Sequence, residues 1–197
     1  MNASPGDDLD AYDMARLRKG HDAALNDLMS RHAEKLFHYL LRSLQDEGDA
    51  ADLAQETFVR VYQNCSKFNP SQKFSTWLYA IASNLVRDRF RWRSRHPQVS
   101  LDAENSDTGS SLKDLLTDVA GGPDQGLQAA ERADTVRKAV ASLPEELRQP
   151  LILALYQDMP QAEIAAILKC SVKAVETRIY RAKQQLRVGL SELVQTT

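Results

Sequence analysis

Arg87, Arg89, Arg91, Arg93 and Arg95 occupy every second position at the end of the stretch FSTWLYAIASNLVRDRFRWRSR, with Phe90 and Trp92 set between them. Guanidinium groups neutralise phosphates and flat rings stack on unpaired bases, so this mixture suits partly single-stranded nucleic acid. Trp77, Asn84, Asp88, Arg91 and Arg95 recur at helical spacing on one face, while Leu78, Ile81, Ala82 and Leu85 form an apolar stripe on another. The stretch reads as a helix with an inner packing face and an outer aromatic and basic face. A solvated helix end, where the macrodipole favours cations, would carry the same arginines, so the rest of the chain has to decide.

A second pattern lies in MPQAEIAAILKCSVKAVETRIYRAKQQLR. Pro160 starts a short helix with Ile164, Ala165 and Leu168 inward, and Lys169-Cys170 makes a tight turn. Ser171 then caps a longer helix whose inward positions are Val172, Val175, Ile179, Ala182 and Leu186. Two helices joined by a turn of three or four residues, the second basic on its outside, form a helix-turn-helix. Lys173, Thr177, Arg178, Arg181 and Lys183 are left to meet phosphates and base edges in a major groove.

Other chemistries lack their residues. Cys65 and Cys170 are the only cysteines and stand outside any CxxC or Cys/His spacing, which argues against a disulfide framework and a zinc site. His32 and His38 do not share a face as a metal pair would. No catalytic residues, metal or cofactor are expected. The formal net charge is -2, but the arginine cluster, an acidic stretch after it and a basic C-terminal part segregate along the chain, so local charge matters more than the total. The opening MNASPGDDLDAYD is acidic and polar, unlike a signal peptide, and the longest apolar run, LILALY, is far short of the ~20 residues that span a membrane. A cytoplasmic protein without membrane insertion is expected.

Strand signals are nearly absent, so the fold should be all-α: two small helical domains joined by a flexible acidic linker, the second a helix-turn-helix domain. The first domain takes 1–95. A helix from Leu9 to Arg18 stops at Gly20, and Asp22 caps a second helix to about Ser43. Asp49 caps DAADLAQETFVRVYQN, with Leu53, Phe58, Val61 and Tyr62 inward and Asp52, Gln55, Glu56 and Arg60 outward. The turn SKFNPSQK follows, placing Phe68 and Lys73 beside the basic helix. In 96–126 periodicity fades and Asp, Ser and Gly accumulate, the signature of a linker. The second domain, 127–197, opens with a helix to about Ser142. SLPEELRQPLILALYQ follows it, with Ser142 and Glu145 at capping-box spacing, Pro144 in the first turn and Pro150 as a kink.

Together these motifs closely resemble a bacterial RNA polymerase sigma factor of the sigma-70 family, in its extracytoplasmic function (ECF) group. In the first domain the likeness rests on GHDAALNDLMSRH, DAADLAQETFVRVY and KFNPSQKFSTWLYAIASNLVRDRFR, and in the second on LPEELRQPLILALYQDMPQAEIAAILKCSVKAVETRIYRAKQQL. The resemblance implies a non-enzymatic initiation subunit that binds core RNA polymerase, at the β' clamp helices and the β flap, and engages promoter DNA both as duplex and as non-template single strand. It implies that Asp52, Leu53, Gln55, Glu56 and Phe58 dock on the clamp helices. It places Phe68, Lys73, Phe74, Trp77, Asn84, Arg87 and Arg91 at the minus-ten element, and Ser171, Lys173, Ala174, Thr177, Arg178 and Arg181 at the minus-thirty-five element. An anti-sigma factor is an implied partner. Each domain presents few cations and the linker is acidic, so the protein alone is expected to bind promoter DNA poorly.

Two positions depart from the family's pattern. Lys169 stands where a glycine is common and must either tolerate φ > 0 or use another turn. Glu176 replaces a basic or neutral residue and would either repel phosphate or accept a hydrogen bond from a cytosine amine. A free-standing helix-turn-helix regulator is the rival reading; it requires tight duplex binding without polymerase and a symmetric operator.

Overall fold

The computed structural model describes residues 5–96 and 123–190, with side chains in the second segment from Arg132 onward. Among them the chain is helical throughout. Most of the expected linker, 97–122, lies outside the described residues.

The first unit holds α1 (Pro5–Arg18), α2 (Ala23–Leu44), α3 (Glu47–Gln63), a short 3-10 turn (Cys65–Lys67) and α4 (Phe74–Arg95). Gly20 ends α1 with φ 85°, a conformation glycine adopts without a Cβ clash. Two expected caps are corrected. Asp22 is itself helical (φ -59°) and its side chain makes no cap bond. Asp46, not Asp49, caps α3, its carboxylate accepting from Asp49 N at 2.8 Å; Asp49 is thereby freed to pair with arginines of α4. The core of this unit is built from Leu28, Leu36, Tyr39 and Leu40 of α2, Leu53, Phe58 and Val61 of α3, and Phe74, Leu78 and Ala82 of α4. Tyr62, expected inward, is 45% exposed.

A charged network fastens α1 onto α2. Arg31 donates to Asp10 (2.9 Å) and Asp13 (2.6 Å), and His32 Nε2 lies 2.8 Å from Asp10. Burial alone would push the Asp10 carboxyl up, but its hydrogen bonds and charge interactions with His32 and Arg31 outweigh it and hold it below the usual 3.8. A carboxyl whose folded value is depressed adds stability that is complete above the ordinary carboxylate range and is lost as pH falls through the lowered value. Asp10→Asn should therefore cost about 1–3 kcal/mol at neutral pH and flatten the acid limb, read as urea midpoints at pH 7 and pH 3.

The second unit holds α5 (Pro123–Ser142), α6 (Glu145–Tyr156), α7 (Gln161–Leu168) and α8 (Val172–Gly189). The expected capping box does not form: Ser142 Oγ donates to Ala139 O at 2.8 Å, and Pro144 is the N-cap of α6, outside its first turn. Leu147, Leu151, Ile152 and Leu153 of α6 pack with Ile164, Ile167, Val175, Ile179 and Ala182. Val172, expected inward, is 42% exposed.

The units pack on one another, α2 against α6 and α4 against α7. Tyr39, fully buried, donates to Gln149 Oε1 (3.2 Å) and lies 2.7 Å from Ser83 Oγ; burial pushes its hydroxyl up to about 12. Tyr79 donates to Gln157 Oε1 at 2.6 Å. Arg148, buried and lowered in pKa by that burial, donates to Ser43 O at 2.8 Å and Leu143 O at 2.7 Å, with its guanidinium 5.6 Å from the Phe90 ring centre. No described helix is long and apolar enough to cross a membrane.

Candidate nucleic-acid interface

Between α3, the loop after it and α4 lies an open depression of about 430 Å³. Trp77 and Ile81 give it an apolar side, and Asn84, Asn64, Arg60 and Lys67 bring amides and cations to the rest. The polar groups are already ordered: Lys67 Nζ donates to Asn64 Oδ1 at 2.8 Å, Asn64 Nδ2 to Arg60 O at 3.0 Å, and Arg60 Nε to Glu56 at 2.8 Å. A planar, hydrogen-bonding ring with an attached phosphate suits such a lining, because apolar walls hold its faces while amides meet its edge.

Of the residues expected at this face, the structure separates two kinds. Trp77 is half-buried, with its ring centre 5.3 Å from that of Phe68 and 6.3 Å from that of Phe74. Phe68 (3% exposed) and Phe74 (1%) lie inside the core, so they back Trp77 and do not themselves present a ring to solvent. Lys73 is exposed just before α4 and pairs with Glu163 at 2.8 Å, and Arg87 Nη1 donates to Asn84 Oδ1 at 3.2 Å. The arginine cluster is similarly divided. Arg89 and Arg93 pair with Asp49 and tie α4 to α3, Arg91 pairs with Asp88, and Arg95 is exposed. Arg60, Asn64 and Lys67 join this site without a signal in the sequence, since their interval from Trp77 spans a turn, across which periodicity carries no information.

A second depression, about 550 Å³, runs between α3 and the end of α4. Asp52 and Glu56 line one side and Asp88, Arg89, Trp92 and Arg95 the other. Gln55 is exposed beside them; Leu53, though only 5% exposed, also lines this depression, and Phe58 (4%) lies in the core. Trp92, 42% exposed, joins this groove, away from the Trp77 depression.

In the second unit, Lys169 takes the left-handed conformation (φ 53°, ψ 48°) between α7 and α8. The departure from glycine is thus absorbed by φ > 0, a strain of roughly 1–2 kcal/mol for a residue with a Cβ. Ser171 Oγ accepts from Ala174 N at 3.1 Å, the expected cap. Lys173 is exposed and pairs with Glu176 at 3.2 Å, so Glu176 partly neutralises its own neighbour. Thr177 Oγ1 donates to Lys173 O at 2.9 Å, Arg178 lies 3.6 Å from Cys170 Sγ, and Arg181 is exposed. Tyr180, 64% exposed and accepting from Gln184 at 3.0 Å, continues this surface; its place three residues after Thr177 was a signal the sequence offered.

Residues 28–96 match the family model for Sigma-70 region 2, and residues 133–186 that for Sigma-70, region 4. The chain is 34% identical over 181 residues to the ECF RNA polymerase sigma factor SigW of Bacillus subtilis, covering 90% of this chain and 95% of that protein. It is 31% identical over 183 residues to the ECF RNA polymerase sigma-E factor of Escherichia coli, covering 91% and 93%. Among solved structures it is similar to CnrH in complex with the cytosolic domain of CnrY, with a TM-score of 0.65, 27% identity, and 93% and 98% of the two chains covered. The sigma factor RpoE in complex with the anti-sigma factor NepR from Bartonella quintana shares its fold, with a TM-score of 0.63, 22% identity, and 84% and 96% covered. The two units with their depression and helix-turn-helix, the two matched regions and the near full-length relatives agree: the chain belongs to the ECF group of the sigma-70 family.

Proposed function

We propose that this sigma factor binds core RNA polymerase through the exposed strip of α3, captures an unpaired non-template base of the minus-ten element in the Trp77 depression, and reads the minus-thirty-five duplex with α8. The observation that carries it is the joint lining of one depression by the half-buried Trp77, the amides of Asn64 and Asn84, and the cations Arg60 and Lys67. Ring and amides suit a flipped base, and the cations suit its phosphates. The polymerase performs the chemistry, and this chain supplies binding and strand capture. Asp52, Gln55 and Glu56 offer acids and an amide to the clamp helices. In α8, Lys173, Arg178 and Arg181 meet phosphates while Thr177 and Ala174 face base edges; Ser171 caps the helix and brings its first N–H groups toward the backbone. The protein works in the cytoplasm, where its polymerase is, and it is held by an anti-sigma factor, as the sigma factor RpoE of Bartonella quintana is seen in complex with the anti-sigma factor NepR. The test is run-off transcription with core polymerase on a promoter library; promoter-dependent starts are expected, and their absence at saturating protein contradicts the reading.

Arg178→Ala should weaken upstream binding of the holoenzyme and reduce the slope of log affinity against log salt by about 0.9, the share of one neutralised phosphate. An unchanged slope removes Arg178 from the contacts.

A further inference from the structure

The depression beside Trp77 and the one beside Trp92 lie end to end along the seam between α3 and α4, with Arg60 lining both. The two tryptophans stand roughly 22 Å apart along α4 at ~1.5 Å per residue. In the sequence both rings are set near arginines and both suit stacked bases, but the structure gives them different neighbours. Beside Trp77 are amides and the cations Arg60 and Lys67. Beside Trp92 are three carboxylates, Asp52, Glu56 and Asp88. The arginines at this end of the seam are already engaged: Arg89 and Arg93 with Asp49, Arg60 with Glu56, and Arg91 with Asp88. A phosphate drawn to Trp92 would meet acids beside cations that are taken, so this ring is poorly placed for nucleic acid.

The same surroundings suit a protein partner. Among the described residues neither Asp52 nor Arg95 has an ion-pair partner; Asp52 is exposed, and Arg95 Nε donates to Arg91 O at 3.3 Å. Leu53 and Leu85 give the groove apolar lining, and Trp92, 42% exposed, adds the largest apolar surface. His96 holds the indole, with ring centres 5.0 Å apart and planes 22° from parallel, and its Nδ1 lies 3.1 Å from Trp92 O. A ring held in advance loses little freedom when a partner covers it.

We infer that Trp92 is the apolar anchor of the polymerase-docking surface, packing with Leu85 against one side chain of a partner helix whose cation faces Asp52 and whose carboxylate faces Arg95. This rests on the function proposed above, and the occupant of the groove is the pair of β' clamp helices. The groove is continuous with the strip of α3 that carries the docking. Leu85 to Trp92 covers two helical turns, about 10 Å, a span over which a helix laid in a groove presents anchors at i, i+3 or i+4, and i+7. A tryptophan surrounded by polar groups that exclude water is the usual form of an interface hot spot. The seam thus divides its work: the end at Trp77 takes DNA, the end at Trp92 takes polymerase, and the Arg60–Glu56 pair stands at the border. Arg89 and Arg93 serve the second end by tying α4 to α3.

The test measures binding of the full-length chain to core polymerase without DNA, by competition with a fluorescent copy of the wild-type chain. Trp92→Ala should weaken binding at least about tenfold, as truncation of a hot spot does, and Trp92→Phe should recover most of the loss. Strand opening at saturating Trp92→Ala should stay within about twofold of wild type, whereas Trp77→Ala should show the reverse pattern, because the base stacks on Trp77. Urea midpoints check that each variant folds. Without any truncation at the site, 5-hydroxytryptophan is placed at position 92 of a Trp77→Phe chain, where it is excited apart from the tryptophans of the polymerase. Its emission should shift to the blue and its quenching by acrylamide fall by about half or more on adding core polymerase, as for an indole leaving water. A single-stranded oligonucleotide pool should change neither. Polymerase affinity unchanged by Trp92→Ala, a probe that stays open to acrylamide in the complex, or a probe that responds to the oligonucleotides overturns the inference while the wild-type chain still binds polymerase. A wild-type chain that does not bind polymerase overturns the sigma reading, and this inference with it.

Discussion

Trp77→Ala should slow strand opening at a cognate promoter by on the order of ten- to a hundredfold while leaving closed-complex formation within about twofold, because stacking on an aromatic ring contributes ~1–3 kcal/mol per base and is made only after strands separate. Trp77 is suited to this because Phe68 and Phe74 fix its ring from behind, leaving part of the indole toward the depression. Trp77→Phe keeps a flat surface and should recover most of the rate. A 2-aminopurine probe in the minus-ten strand, read by stopped flow, separates the two steps. Equal losses at both would contradict the stacking role.

Phe74→Ala should have the largest effect on stability, about 3–5 kcal/mol, as expected for deleting a fully enclosed aromatic ring. Phe74 is 1% exposed and touches the ring systems of His32, Phe68 and Trp77, so its removal opens a cavity where α4 meets α2 and the loop before α4. Such a cost is a large part of the roughly 5–15 kcal/mol that holds a domain together, and urea unfolding measures it. A change under about 1 kcal/mol would show that Phe74 is not the keystone of this aromatic group. The two substitutions also part company: Trp77→Ala acts mainly on opening, Phe74→Ala mainly on folding.

The helical architecture and the helix-turn-helix were legible because each rests on a local pattern. Ile164, Ala165, Val175, Ile179 and Ala182 hold the expected spacing and are all buried, and Ser171 sits where its hydroxyl can reach Ala174 N. Caps were less legible where two candidates stood three residues apart. Asp46 and Asp49 both suit an N-cap, and only the partners of Asp49 on α4, Arg89 and Arg93, decide which is used. Helical spacing already turned Leu53 and Phe58 inward, and both are buried, but motif likeness put Phe68 and Phe74 at the DNA face because it marks positions, not exposure. Their burial comes from neighbours distant in the chain. The contact between the units was not legible at all, since Tyr39, Arg148, Gln149 and Glu163 form no periodic pattern and their partners lie tens of residues away or more.

Strand capture beside Trp77 is tested most directly by placing a photoreactive benzoylphenylalanine at Ile81, on the wall of the depression, and irradiating the complex of this chain, core polymerase and an opened promoter. An adduct confined to the unpaired non-template strand of the minus-ten element, and missing from the closed complex, is the predicted result. An adduct to duplex DNA only, or none at all in a complex that is initiating transcription, would contradict the account.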